Sequence, residues 1–162
     1  MVNIKFVKTH ENAKLPTKAH DSDNCWDLYA VEDVVIPASS SKDAFSDYGI
    51  PIIGSNVNIG HAVVPVGLNV GYISEGFGFV IKGRSGLGFK HGIVPHFGEI
   101  DNFYRGGLGV KLYNLTSTDY EVKAGDRIAQ FKVEKVWESS VEFIDAVVES
   151  ARGEKGFGSS GK

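Results

Sequence analysis

Cysteine is nearly absent: Cys25 is the only one in 162 residues. An intrachain disulfide is therefore impossible, and a zinc centre built on several thiolates is excluded. A reducing, cytoplasmic setting is expected. Long apolar runs are missing as well. None approaches the roughly 20 residues that span a bilayer as a helix. The opening MVNIKFVKTHENAK also has no secretory apolar stretch, so no membrane partner is expected. Nor is there an excess of positive charge: 17 Lys and Arg stand against 20 Asp and Glu, for a net charge of −3. That balance argues against direct binding of nucleic acid. The histidines at 10, 20, 61, 91 and 96 show no metal-ligand spacing. Long helical periodicity and internal repeats are absent too.

What the chain does have is glycine, 20 residues of it, well above the usual share of roughly 7%. Its arginines are Arg84, Arg105, Arg127 and Arg152, each within two residues of a glycine. Arginine suits bidentate contact with phosphate. Glycine lets main-chain N–H groups come close to an anion. The pairing points to phosphate binding before any motif is considered.

Residues 2–7, 33–36, 68–73, 77–82, 108–113 and 127–136 are rich in β-branched and aromatic residues and are bounded by turn residues. Turns are expected at 114–119 and 123–126. A short helix is expected after Arg84, capped by Ser85, with Leu87 and Phe89 facing inward. Residues 138–149 fit either a strand or a short helix. Many short strands with glycine-rich turns indicate an all-β barrel or jelly roll. Residues 38–60 read as an inserted loop. Residues 150–162 read either as a disordered tail or as an arm that orders on a ligand.

Several segments could carry chemistry. Gly156 to Lys162 matches part of a P-loop, but no strand leads in and no helix leads out, so the match has no ATPase context. G-R-S-G-L-G (83–88) is either a glycine-rich turn or a place where Arg84 and Ser85 aim donors at an anion. G-E-I-D-N-F-Y-R-G (98–106) holds Asp101 before two aromatics. Its carboxylate is expected to be partly shielded and so suited to general-base work, or else to close a turn. G-D-R-I-A-Q-F (125–131) reads as turn then strand, with Asp126 and Arg127 pairing together or with neighbours. Cys25 reads as a small buried thiol.

In order, N-C-W-D-L-Y-A (24–30), G-R-S-G-L-G (83–88), G-E-I-D-N-F-Y-R-G (98–106), A-G-D-R-I-A-Q-F (124–131) and R-G-E-K-G-F-G-S-S-G (152–161) resemble the five motifs of the homotrimeric dUTPases. The resemblance implies a distorted jelly-roll-like β-barrel subunit over 1–149, with at most one or two short helices. It also implies an arm over 150–162 and sites built from more than one subunit of a homotrimer. The implied reaction is hydrolysis of dUTP to dUMP and pyrophosphate with Mg2+. Asp101 would activate the attacking water, and Tyr104 would pack under the deoxyribose. Arg84, Ser85, Gly86, Gln130, Arg152, Gly158 and Ser159 would contact the substrate, mainly its phosphates, and Phe157 would stack on uracil. Asp27 and Asp126 would form a supporting network. No residue would ligate the metal directly, which would ride on the triphosphate and waters, with Asp27 reached through water. A hairpin at about 92–100, about two residues short of the usual pattern, would read the base by main-chain groups.

Rival readings are a dCTP deaminase of the same superfamily, a non-catalytic dUTP-binding trimer and a purely structural jelly roll. The deaminases use a glutamate in the strand after the motif-three aspartate, where this chain has Lys111 and no carboxylate. A non-catalytic member would have lost Asp101, Tyr104 or Arg152, and all three are present. A structural subunit leaves the arginine–glycine clustering unexplained.

Overall fold

The computed structural model describes residues 1–41 and 57–150. Among the described residues the fold is all-β with one short helix. In chain order the strands are β1 (Ile4–Lys8), β2 (Cys25–Tyr29), β3 (Val34–Ile36), β4 (Ser40–Ser41), β5 (Val57–Asn58), β6 (Gly60–Ile73) and β7 (Phe77–Lys82). Helix α1 (Ser85–His91) follows, then β8 (Ile93–Pro95), β9 (Gly98–Ile100), β10 (Gly107–Asn114), β11 (Tyr120–Val122) and β12 (Arg127–Lys135). One four-stranded sheet has the order β1-β6-β10-β8 and the other β2-β12-β7-β9. Two strand pairs, β11-β3 and β4-β5, complete the set, and among the described residues the two large sheets are not closed into a barrel.

Alternation explains the core. In β6 the even positions Val64, Val66, Leu68 and Val70 are buried, as period two requires. The parity then changes to Ile73, because Lys5 pairs with Tyr72 and Phe6 with Val70, leaving Gly71 as an extra residue. The sheets meet through three rings. Phe6 of β1 stands edge-on to Phe79 of β7 at 6.4 Å and to Phe131 of β12 at 6.2 Å. Phe79 and Phe131 are 4.6 Å apart.

The segment at 77–82 is a strand over that same span, and the strands expected at 33–36, 108–113 and 127–136 fall within one residue of it at each end. The strand expected at 68–73 is the last part of the 14-residue β6. The span read as an insert contributes β4, β5 and the first residue of β6; its residues 42–56 lie outside the described residues.

Three expectations are corrected. Residues 138–149 form neither strand nor helix, and Val141, Phe143, Val147 and Val148 are exposed, with no described surface covering them. Ser85 does not cap α1: the N-cap is Arg84 and no side chain caps the helix. Leu87 packs against the core but Phe89 is 93% exposed. Residues two apart on a helix cannot share a face.

The stretch at 92–100 is likewise no hairpin. Strand β8 pairs with β10 in one sheet, and β9 pairs with β7 in the other. His96 and Phe97 therefore make a corner between sheets, with Phe97 exposed at its tip. Gly92 starts the corner at φ 63°, the left-handed conformation that ends α1.

Candidate functional site

Register brings the first residues together. Gln130 of β12 faces Asp27 of β2 on one side and Lys82 of β7 on the other. These strands are neighbours, so the three positions form one row across the sheet. Beyond Lys82 the chain turns at Gly83, whose carbonyl accepts from Gln130 Nε2 at 2.7 Å. Arg84 then folds back, and its Nε donates to Asp27 Oδ1 at 2.9 Å. Its Nη1 also donates to the Arg127 carbonyl at 3.2 Å.

A bulge adds a second arginine. Arg127 pairs with Tyr29 and Ala129 with Leu28, so Ile128 is extra. Ile128 is buried, and Arg127 is turned to the face shared by Asp27 and Gln130, a re-aiming that bulges commonly perform. Arg127 Nη1 donates to Asp27 Oδ2 at 3.2 Å. Asp27 is only 8% exposed and has each carboxylate oxygen on a different guanidinium.

These groups line an open cleft of about 340 Å³, together with Ser85, Gly86, Cys25, Asp23 and Asn24. The Ser85 side chain is exposed rather than spent on the helix. Nothing lies within 4 Å of where a Cβ on Gly86 would stand. Cys25 is half-buried on the cleft wall, not the buried thiol that was expected.

Motif three lies elsewhere. Phe79 pairs with Ile100, which sets Asp101 alongside Gly78. Lys82, the last residue of β7, is four residues further along, or roughly 13 Å at about 3.3 Å per strand residue, and the turn to Arg84 begins there. Neither Asp101 nor Tyr104 lines the cleft. Asp101 is exposed, contrary to the expected shielding: Asn102 turns inward while Phe103 points outward at 85% exposure and covers nothing. The Asp101 carbonyl accepts from Tyr104 N at 3.0 Å. Tyr104 Oη donates to the Gly107 carbonyl at 2.8 Å.

Asp126 makes no ion pair among the described residues. Its Oδ2 accepts from Lys123 N at 2.9 Å and its carbonyl from Ala30 N at 2.9 Å, so it closes the turn before Arg127. Arg152, Phe157, Gly158 and Ser159 lie outside the described residues. Sequence reasoning missed Arg127 as a site residue, because only the bulge directs it there. It also missed Asn102, whose role depends on carbonyls some 25 residues away.

Comparison with known proteins gives the family. The dUTPase family model matches residues 57–161. A deoxyuridine 5'-triphosphate nucleotidohydrolase of Debaryomyces hansenii is 38% identical over 162 residues, covering 99% of this chain and 88% of that one. In fold, the chain is similar to a Staphylococcus bacteriophage 80alpha dUTPase variant with dUpNHpp, at TM-score 0.78 and 24% identity over 99% of each chain. It is also similar to a phage phi11 dUTPase variant with a structural Mg(II) ion, at TM-score 0.70 and 20% identity, covering 91% of this chain and 99% of that one. The chain belongs to the dUTPase family.

Proposed function

We propose that the chain hydrolyses dUTP to dUMP and pyrophosphate by attack of water on the α-phosphorus. The observation that carries this is the cleft in which one carboxylate, Asp27, fixes two guanidinium groups beside Ser85 and an uncovered Gly86. Two fixed cations suit a polyanion, and Arg84 and Arg127 keep further N–H donors beyond those given to Asp27. The first N–H groups of α1 have no partner within the helix, and open space above Gly86 leaves room for a phosphate oxygen to reach them. Gln130, tied to Gly83, holds the turn that presents Arg84.

Mg2+ belongs to the substrate in this reading. Among the described residues no three His, Cys, Asp or Glu side chains converge to hold an ion, and both oxygens of Asp27 already face arginines. Carried on the triphosphate and its waters, Mg2+ would draw charge from the phosphorus. The protein's own part is positioning and charge neutralisation.

Asp101 is the base that orients and deprotonates the attacking water, and Tyr104 packs under the sugar. Set roughly 13 Å from the Lys82 end of β7 and absent from the cleft lining, Asp101 does not reach the cleft of its own chain. A site therefore takes its phosphate cleft from one copy and its base from another, which supports the homotrimer. Residues 150–162 act as an arm, with Arg152 on the γ-phosphate, Phe157 on uracil and Gly158 and Ser159 against the phosphates. Among the described residues no helix is long and apolar enough to cross a membrane. The single cysteine supports a reducing, cytoplasmic setting.

The test is product analysis with Mg2+ and dUTP, dCTP, dTTP and UTP in parallel. Release of dUMP and pyrophosphate from dUTP alone is the expected result. Ammonia from dCTP would place the chain with the deaminases, and binding of dUTP without turnover would make it a sensor.

A further inference from the structure

The motif-three loop hangs on a side chain that the proposed chemistry does not use. Asn102 follows Asp101 directly. Its Nδ2 donates to the Ser74 carbonyl at 2.7 Å and to the Phe77 carbonyl at 2.9 Å, with the Ile73 carbonyl at 3.3 Å. An amide nitrogen has two hydrogens, so the two shorter bonds are complete and the third contact is shared. All three acceptors lie at the turn between β6 and β7.

That turn is itself anchored. Ser74 N donates to the Asn3 carbonyl at 2.9 Å, and Asn3 N donates to Ser74 Oγ at 2.9 Å. Val136 N, just past β12, donates to the Gly76 carbonyl at 2.8 Å. The loop is also folded on itself, because Arg105 Nη1 donates to the carbonyls of Asn102 and Tyr104, each at 2.7 Å. Asn102 thus joins a self-closed loop to a fixed turn.

We infer that Asn102 is a positioning residue for the Asp101 carboxylate. No described side chain or N–H group hydrogen-bonds that carboxylate, so its direction follows from the backbone on either side. On one side Ile100 is held by its pairing with Phe79. On the other side the first fixed point is Asn102. Without it, the turn from Asp101 to Tyr104 can pivot about Ile100, and the base loses its aim at the water. Displacement of a reacting group by about 1 Å can cost a hundredfold in rate. The inference rests on the reading of Asp101 as the base.

The test compares Asn102→Ala and Asn102→Asp with the parent chain and with Asp119→Ala, which removes the acceptor for Ala38 N and lies in neither the cleft nor the motif-three loop. The alanine removes the donors. The aspartate keeps the shape but sets an oxygen against carbonyl oxygens. The readouts are kcat and KM for dUTP per folded protein, with Tm from thermal melts. We expect kcat to fall about tenfold to a hundredfold in both Asn102 variants. KM should rise by less than kcat falls: Tyr104 moves with the turn, but the phosphate cleft lies at the far end of β7. Asp119→Ala should lower Tm and keep kcat. Should Asn102→Asp fail to fold, Asn102→Ala alone decides. A folded Asn102 variant with kcat within twofold of the parent overturns the inference, as does a fall in kcat matched by Asp119→Ala at equal loss of Tm. An inactive parent chain overturns the reading of the site and this inference with it.

Discussion

The Nε of Arg84 stands 2.9 Å from Oδ1 of Asp27, in a cleft where the same carboxylate also holds Arg127. Asp27→Asn removes the charge and keeps the shape. Two guanidinium groups then repel across a neutral amide. We expect a stability loss of roughly 1–3 kcal/mol, the range of charge-assisted hydrogen bonds reduced for partly exposed partners. We also expect KM for dUTP to rise by about tenfold or more, since about 1.4 kcal/mol of lost phosphate contact is tenfold. Urea denaturation and steady-state kinetics check the two parts separately. An unchanged KM would remove Asp27 from phosphate binding.

Gly86 separates packing from binding more sharply. A methyl group there meets nothing in the protein. In the first turn of α1, alanine is also the better helix former, by up to about 1 kcal/mol. Gly86→Ala should therefore be as stable as the parent or slightly more so. It should nevertheless bind dUTP more weakly, because the methyl occupies space that a phosphate oxygen would use. Calorimetric titration with a non-hydrolysable dUTP analogue measures this, and equal affinity would place the triphosphate elsewhere.

The separation of Asp101 from the cleft predicts complementation. Asp101→Asn and Arg84→Ala should each be inactive alone, the first by about 10²–10⁴-fold through loss of a general base. Co-expressed at equal levels, they should regain activity at about one site in four by random assembly of a symmetric oligomer. Activity no higher than the sum of the two variants would put base and cleft in one copy.

Much of the fold was legible, and the failures share a cause. Strand 77–82 is bounded by turn residues, rich in aromatic and β-branched residues and buries Phe79 and Ile81, so local pattern suffices. Asp27, Ser85 and Gln130 were named from their motifs; the register of β2 and β12 sets Asp27 beside Gln130, and Ser85 follows at the start of α1, just past β7. The corner at His96 and Phe97 was not, since one residue triplet on each side joins a different sheet. Arg127 depended on a bulge, and Asn102 on carbonyls far away in sequence. Shielding of Asp101 was inferred from neighbouring aromatics, whereas side chains at successive positions of a turn point in different directions.

Asp33 gives a pH prediction. The Ala124 N–H bond, and after it the Lys123 ammonium, hold its carboxyl below the ordinary value of 3.8. A depressed acid stabilises the fold above its unfolded pKa, and that stabilisation fades as pH falls through the folded value. Asp33→Asn keeps an acceptor for Ala124 but loses the charge. The parent should therefore exceed the variant in urea midpoint by a constant margin from pH 7 to about 5, and the margin should shrink below 3.8. A margin that persists at pH 2 would mean the charge is not its source.

The short β4–β5 ladder has an engineering consequence. Ser41 is paired with Val57, so the two residues that flank 42–56 stand about 5 Å apart. Two-residue turns close antiparallel pairs across that gap. The segment can therefore be exchanged for a minimal turn, or for a foreign peptide or reporter, with the load-carrying strands left as they are.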